Sequence, residues 1–265
     1  MKSILDFQEK KNKKQKISMI TCYDYTFASI LAESHIDCLL VGDSLANTMH
    51  GFPTTLNATV NMMALHIAAV ARGAGQKKFI VGDLPFMANR KGLTASMTNA
   101  EKIMRAGAHA VKLEGGDEFT YKLVAHLVGS GVPVMGHLGL TPQSVHQLGG
   151  FKVQGRDEKA QAKIKEQALR LQEAGAFCIV LECVPSKLAA EITKSLDIPT
   201  IGIGAGPDTD GQVLVLQDML GMNQGFKPKF LKTYFNGFEA IKDVFNRYHD
   251  EVVNVDFPTE KESYS

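Results

Sequence analysis

The chain has no tryptophan, and only 8% of its 265 residues are aromatic. Its four cysteines, Cys22, Cys38, Cys178 and Cys183, form no C-x-x-C pair, which argues against zinc-ribbon and dithiol motifs and fits free thiols in a reducing cytosol. Excess charge is also lacking: 29 Lys and Arg stand against 28 Asp and Glu, a formal net charge of +1. Such a balance gives no bulk attraction for nucleic acid or anionic membrane and points to small-molecule ligands. No apolar run approaches the ~18 residues of a membrane span. The lysine-rich start, with Lys10, Lys11, Lys13, Lys14 and Lys16, lacks the apolar stretch of a secretory signal. The expectation is a soluble cytoplasmic protein whose lysine cluster forms a solvated helix face beside the first strand.

What the chain does have is regular apolar punctuation. Eight short apolar or β-branched runs, bounded by turn residues, predict strands near 17–23, 38–43, 78–83, 110–114, 132–137, 178–182, 199–204 and 213–217. Helical periodicity falls between them, as at 25–35, 60–72, 94–105, 158–173 and 186–195. Alternating strand and helix implies a parallel sheet. The count of eight, in a chain close to the about 250 residues of such folds, predicts a single-domain (β/α)8 TIM barrel over 1–265. An internal echo supports this: AGAHAVKLE at 106–114 returns as AGAFCIVLE at 174–182, an offset of 68 residues that suits two αβ units. In each copy a glycine, Gly107 or Gly175, can stop the helix before the strand begins. Beyond the last strand, Phe230, Tyr234, Phe238, Ile241, Phe245 and Tyr248 make an aromatic stripe at helical spacing, suited to packing on the barrel or to a subunit interface. The closing PTEKESYS lacks core-forming residues and is expected to be disordered.

Five of the strands end in a residue able to do chemistry: Asp43, Asp83, Glu114, His137 and Glu182. In a parallel barrel those ends share one rim. Asp43 and Asp83, closing consecutive strands, would bring hard carboxylate oxygens together. That suits a Mg2+-type ion, which takes one or two carboxylates and leaves positions for water and substrate, with Glu114 completing the site directly or through water. A lone Asp after a strand often caps a helix; three acids on consecutive strand ends go beyond capping. Lys112 shares a strand face with Glu114, where it could neutralise that acid or capture a substrate carboxylate. Glu182, between Leu181 and Cys183, is a candidate general base, or else a buried, paired structural carboxylate. His137, in GHLGLTPQS, could donate to substrate, act as an acid, or serve as a hydrogen-bonded structural residue. IGIGAG at 201–206 is followed by Pro207 and is not a G-x-G-x-x-G fingerprint; its glycines would let a ligand approach the backbone. GGFKVQGR at 149–156 has the composition of a mobile lid, or of an ordinary exposed loop.

Taken in order, LVGDSL (40–45), GDLPFM (82–87), VKLEGG (111–116), GHLGLTPQS (136–144), KVQGR (152–156), VLECVP (180–185) and IGIGAG (201–206) closely resemble the ketopantoate hydroxymethyltransferase family. The resemblance runs from residue 21 to about residue 230, with no catalytic group removed at a motif position. It implies transfer of a one-carbon unit from the co-substrate 5,10-methylenetetrahydrofolate to 3-methyl-2-oxobutanoate, giving 2-dehydropantoate and tetrahydrofolate in pantothenate and coenzyme A biosynthesis. By the same resemblance, Asp43, Asp83 and Glu114 belong to a Mg2+ site. Ser44 and Lys112, with Asp43 and Asp83, hold the 2-oxo acid, and Glu182 is the catalytic proton acceptor. It also implies a large homo-oligomer such as a decamer. The phosphoenolpyruvate mutase and isocitrate lyase group resembles this rim too, and would make the chain a Mg2+-dependent 2-oxo acid lyase or mutase; no K-K-C-G-H motif is present. A non-catalytic 2-oxo acid or folate binding barrel is opposed by the intact set Lys112, Glu114 and Glu182.

Overall fold

A computed structural model describes residues 1–225 and 227–264. The chain divides into two compact units, Met1–Val215 and Leu216–Ser265, so the barrel predicted over 1–265 closes within the first of them. Its strands are β1 (Ile17–Thr21), β2 (Cys38–Val41), β3 (Phe79–Asp83), β4 (Ala110–Glu114), β5 (Val134–Gly139), β6 (Cys178–Glu182), β7 (Thr200–Ile203) and β8 (Gly211–Leu214). They pair in sequence order, all parallel, and β8 returns to β1. The outer helices are α2 (Tyr25–Ala32), α3 (Val60–Ala74), α4 (Leu93–Arg105), α5 (Glu118–Gly129), α6 (Glu158–Glu173) and α7 (Ser186–Ser195), preceded by α1 (Ile4–Asn12). Side chains of alternating strand positions fill the barrel: Ile17, Cys38, Phe79, Ala110, Met135, Cys178, Ile201 and Val213 belong to one buried cluster.

The strand-start end of the barrel is closed by α1. Phe7 is fully buried in the same cluster and meets Phe79 and Phe177 edge-on, at centroid distances of 5.4 and 5.1 Å. This changes the reading of the lysines. Lys10 pairs with Asp37 at 2.5 Å and Lys11 with Asp210 at 2.9 Å, while Lys16 donates to the Thr209 carbonyl. Three of the five cations expected on a solvated face are therefore engaged: Lys10 and Lys11 fasten α1 to the barrel floor, and Lys16, just before β1, holds the chain entering that strand to the Thr209 turn.

The echoed segments are equivalent in structure. Gly107 and Gly175 have φ of 113° and 101°, the left-handed region that favours glycine, and each leads into its strand within a few residues. The eighth strand lies earlier than predicted, at Gly211–Leu214, and residues from Leu216 onward begin a short helix, Leu216–Met219. Gly211 carries the reason: a Cβ there would fall 2.4 Å from the Ile17 carbonyl oxygen, so close pairing with β1 needs a residue that β-propensity disfavours. In the second unit α8 (Gly237–Val253) contains only the later part of the aromatic stripe; Phe230 and Tyr234 precede it. Phe245 and Tyr248 remain 66% and 57% exposed. The tail is not featureless: Thr259 caps a 3-10 turn, Glu260–Glu262. The final Ser265 lies outside the described residues. Among the described residues no helix is long and apolar enough to cross a membrane.

Candidate active site

The parallel register sets the site. Asp83 on β3 is the neighbour of Lys112 on β4, Glu114 on β4 that of His137 on β5, and Gly139 on β5 that of Glu182 on β6. Asp83, Lys112, Glu114 and His137 are all buried. The Lys112 ammonium lies 2.7 Å from Asp83 Oδ1 and 3.2 Å from His137 Nδ1. The same imidazole nitrogen is 3.5 Å from Glu114 Oε1, and His137 Nε2 is 3.2 Å from Glu182 Oε2. One histidine thus touches the lysine and both strand-end glutamates. Glu182 is the more open of those acids, its side chain 18% exposed against 5% for Glu114.

Asp43 departs from its expected place. β2 ends at Val41, whose partner is Gly82, so Asp43 lies beyond the strand and is not level with Asp83. The two acids still meet, because the Asp43 amide donates to Asp83 Oδ2 at 3.1 Å. Next in the chain, half-buried Ser44 has its hydroxyl 2.7 Å from that of Tyr23, itself fully buried.

Burial shapes the electrostatics of this cluster. It raises the Asp43 carboxyl well above its ordinary range, and the nearby Asp83 and Glu114 add to the effect. Burial raises Asp83 as well, against the opposing pull of Lys112. Burial alone would lower Lys112, but Asp83, Glu114 and Asp43 outweigh it and hold the ammonium above its usual range. For His137, burial and the Lys112 charge push down; the adjacent carboxylates of Glu114 and Glu182 prevail, pushing it up to about 9.

These residues fit a hard divalent cation. The donors are carboxylate oxygens, and acidic groups outnumber the single ammonium. Buried Asp83 Oδ1 also lacks a hydrogen bond of proper geometry despite the close Lys112 contact. Among the described residues no three His, Cys, Asp or Glu side chains form a ready metal-holding group. A Mg2+-type ion takes one or two carboxylates and fills the rest of its shell with water and substrate oxygens.

Two uncharged residues complete the site and escaped the sequence reading. Tyr23 follows β1 and supports Ser44. Gln143, in the turn Pro142–Ser144 after β5, donates its side-chain amide to Asp43 Oδ2 at 2.8 Å and its backbone N–H to Glu114 Oε2 at 3.1 Å. Its only signal was its place in LTPQS, next to a proline that starts the turn. The segment 149–156 meets the rim where the Gln154 backbone N–H donates to the Cys183 carbonyl at 2.8 Å; Phe151 is exposed. In IGIGAG the glycines make room for protein: a Cβ on Gly202 would strike Thr209, and one on Gly206 would strike Ser186.

Closed parallel barrels that gather ionisable side chains at the C-terminal strand ends are enzymes built on one plan, with catalytic groups drawn from several strands. The chain is such an enzyme. It belongs to the ketopantoate hydroxymethyltransferase family, whose family model matches residues 1–260. It is 72% identical over 265 residues to the 3-methyl-2-oxobutanoate hydroxymethyltransferase of Bdellovibrio bacteriovorus, covering 100% of both chains. With the protein of that name from Coxiella burnetii it shares 57% identity over 253 residues, covering 96% of this chain and 95% of the relative. Among solved structures, phosphonopyruvate hydrolase in complex with oxalate and Mg++ aligns with a TM-score of 0.65 at 12% identity, over 99% of this chain and 93% of that one. A 2,3-dimethylmalate lyase of the PEP mutase/isocitrate lyase superfamily aligns at 0.55 and 13%, over 100% and 92%. At such identities the likeness concerns the fold alone, and the family match decides between the two kinds of enzyme.

Proposed function

We propose that the chain transfers a hydroxymethyl unit from 5,10-methylenetetrahydrofolate to 3-methyl-2-oxobutanoate, yielding 2-dehydropantoate and tetrahydrofolate for pantothenate and coenzyme A synthesis in the cytoplasm. The observation that carries this is the placement of Glu182, a partly open carboxylate joined through His137 to the buried cluster of Lys112, Glu114 and Asp83. A proton acceptor thus faces groups able to hold a 2-oxo acid. Asp43 and Asp83, with Glu114, would hold Mg2+, which supplies Lewis acidity to the keto and carboxylate oxygens of the acid and so favours loss of its C3 proton. Lys112 balances Asp83 and offers the substrate carboxylate a cation. Ser44, braced by Tyr23, offers a hydroxyl beside it. Glu182 takes the C3 proton, with His137 orienting its carboxylate; one water hydrolyses the methylene bridge, breaking both of its C–N bonds to leave tetrahydrofolate and a formaldehyde-level carbon, and C3 bonds to that carbon as its water-derived oxygen takes up a proton to become the new hydroxyl. Residues 149–156 limit the entry of bulk water at the mouth while C3 carries the developing charge, the one water that the reaction consumes being admitted with the folate. The exposed apolar side chains of α8 support a homo-oligomer, with a decamer as the assembly proposed.

Glu182→Gln tests the reading. The variant should bind the 2-oxo acid as the parent does, yet lose folate-independent exchange of the C3 hydrogen with deuterated water by roughly 10²-fold or more, followed by NMR of the substrate methine. Exchange at the parent rate would assign the proton to another residue.

A further inference from the structure

Gln143 stands outside every role assigned above, yet it is the residue that ties three strand ends to one loop. Its side-chain nitrogen donates to Asp43 Oδ2 at 2.8 Å and to the Leu84 carbonyl at 3.0 Å. Leu84 directly follows Asp83 at the end of β3. The backbone N–H of the same residue donates to Glu114 Oε2 at 3.1 Å, at the end of β4. Both side-chain partners are acceptors, a carboxylate and a carbonyl, so the NH2 must face them and the orientation of the amide is settled by its neighbours. Asp43, which no strand holds, takes its bearing from this bond, and the bond engages only one of its two oxygens.

The loop that carries Gln143 is itself anchored around Glu182. The Leu140 amide donates to the Glu182 carbonyl at 2.8 Å, and the Gln154 amide to the Cys183 carbonyl at 2.8 Å. Gly139 permits the first of these: its φ is 91°, and a Cβ would fall 2.2 Å from the Glu182 carbonyl oxygen. Residues 140–154 therefore begin and end against the strand that carries the base, and their one long-range side-chain bond to the acids comes from Gln143.

From this we infer that Gln143 is a positioning residue: its amide aligns Asp43 for cation binding, and through it the 140–154 segment responds to whether the cation is there. Ligand-orienting hydrogen bonds of this kind typically carry 10–100-fold in metal affinity. The inference rests on the divalent-cation reading above, and the test separates the two.

Metal-free, full-length protein is titrated with Mn2+ and followed by electron paramagnetic resonance, with substrate absent. The parent should bind. Gln143→Met keeps the volume and removes the donor, and should bind Mn2+ about tenfold more weakly or worse. Gln143→Leu likewise removes the donor and should weaken binding to a similar degree. Circular dichroism and the thermal midpoint of each variant verify folding, and the backbone bond to Glu114 survives in both. In hydrogen exchange, the parent should gain protection over 140–154 when Mn2+ is added, and the Met variant should lose that gain. A parent that does not bind Mn2+ overturns the cation reading and the inference together. A parent that binds, beside folded Met and Leu variants of equal affinity, overturns the inference alone; equal protection gains in parent and Met variant overturn the coupling.

Discussion

Lys112 shows how one residue can serve stability and chemistry together. Its ammonium is buried 2.7 Å from Asp83 Oδ1, so Lys112→Ala leaves a buried carboxylate without its partner. Removing one member of such a pair costs about 3–5 kcal/mol. The variant should unfold at lower denaturant concentration, recover part of that loss when Mg2+ is added, and bind the 2-oxo acid more weakly by calorimetry; unchanged affinity would remove Lys112 from substrate binding. Asp37 makes a separate residue-scale prediction. Burial would raise its carboxyl, but Lys10 and Ser18 hold it below the ordinary carboxylate range. A depressed folded-state pKa contributes stability that is present above the unfolded value of about 3.9 and is lost as pH falls through the folded value. Asp37→Asn should therefore be destabilised at neutral pH, and the gap to the parent should close as acid unfolding proceeds below pH 4. A gap that stays constant with pH would deny the carboxylate this role.

At the scale of elements, α1 is the clearest addition to what the sequence tells. Its single deep contact is Phe7, and lysines fill so much of the surrounding stretch that no apolar stripe announces a packed helix. Phe7→Ala should cost about 3–5 kcal/mol, measured by urea unfolding, while leaving rim chemistry intact. A loss below about 1 kcal/mol would mean that the barrel floor relaxes around the gap. Elsewhere the periodicities served well. The helices read at 158–173 and 186–195 coincide with α6 and α7, and β4 and β6 fall where the echoed AGA segments place them. The eighth strand was misplaced because its glycine is present for close approach to β1, which leaves no apolar signature. The site divides in the same way. Strand-ending acids are visible because charge after an apolar run is rare, whereas Gln143 and Tyr23 act through bonds to residues far away in sequence, which no local pattern records. Asp43 lies in between: its identity was legible, and its offset from Asp83 depended on the β2–β3 register.

For the whole molecule, the barrel unit carries the chemistry and the second unit carries an apolar helix face. Along α8, Phe238, Ile241, Phe245 and Tyr248 are exposed, a larger apolar surface than a solvated helix ordinarily shows. Replacing both Phe238 and Phe245 with Glu should convert a large assembly into smaller species in sedimentation velocity, with little change in circular dichroism. A parent chain that sediments as a monomer would end that proposal.

The Phe7 stopper also governs traffic. Because α1 covers the strand-start end and side chains fill the barrel, both substrates of the proposed reaction have to approach from the strand-end rim. Between the small keto acid and the bulky pterin donor, the guest seated deepest, against Lys112 and the acids, has to come in before the larger one stands in the entrance. On the way out the queue reverses: spent folate departs first, and the enlarged acid follows. Steady-state kinetics should therefore display a compulsory order, with the enlarged acid, which leaves last, competing against the 2-oxo acid for the free enzyme, and the folate product inhibiting in a mixed pattern against its parent folate.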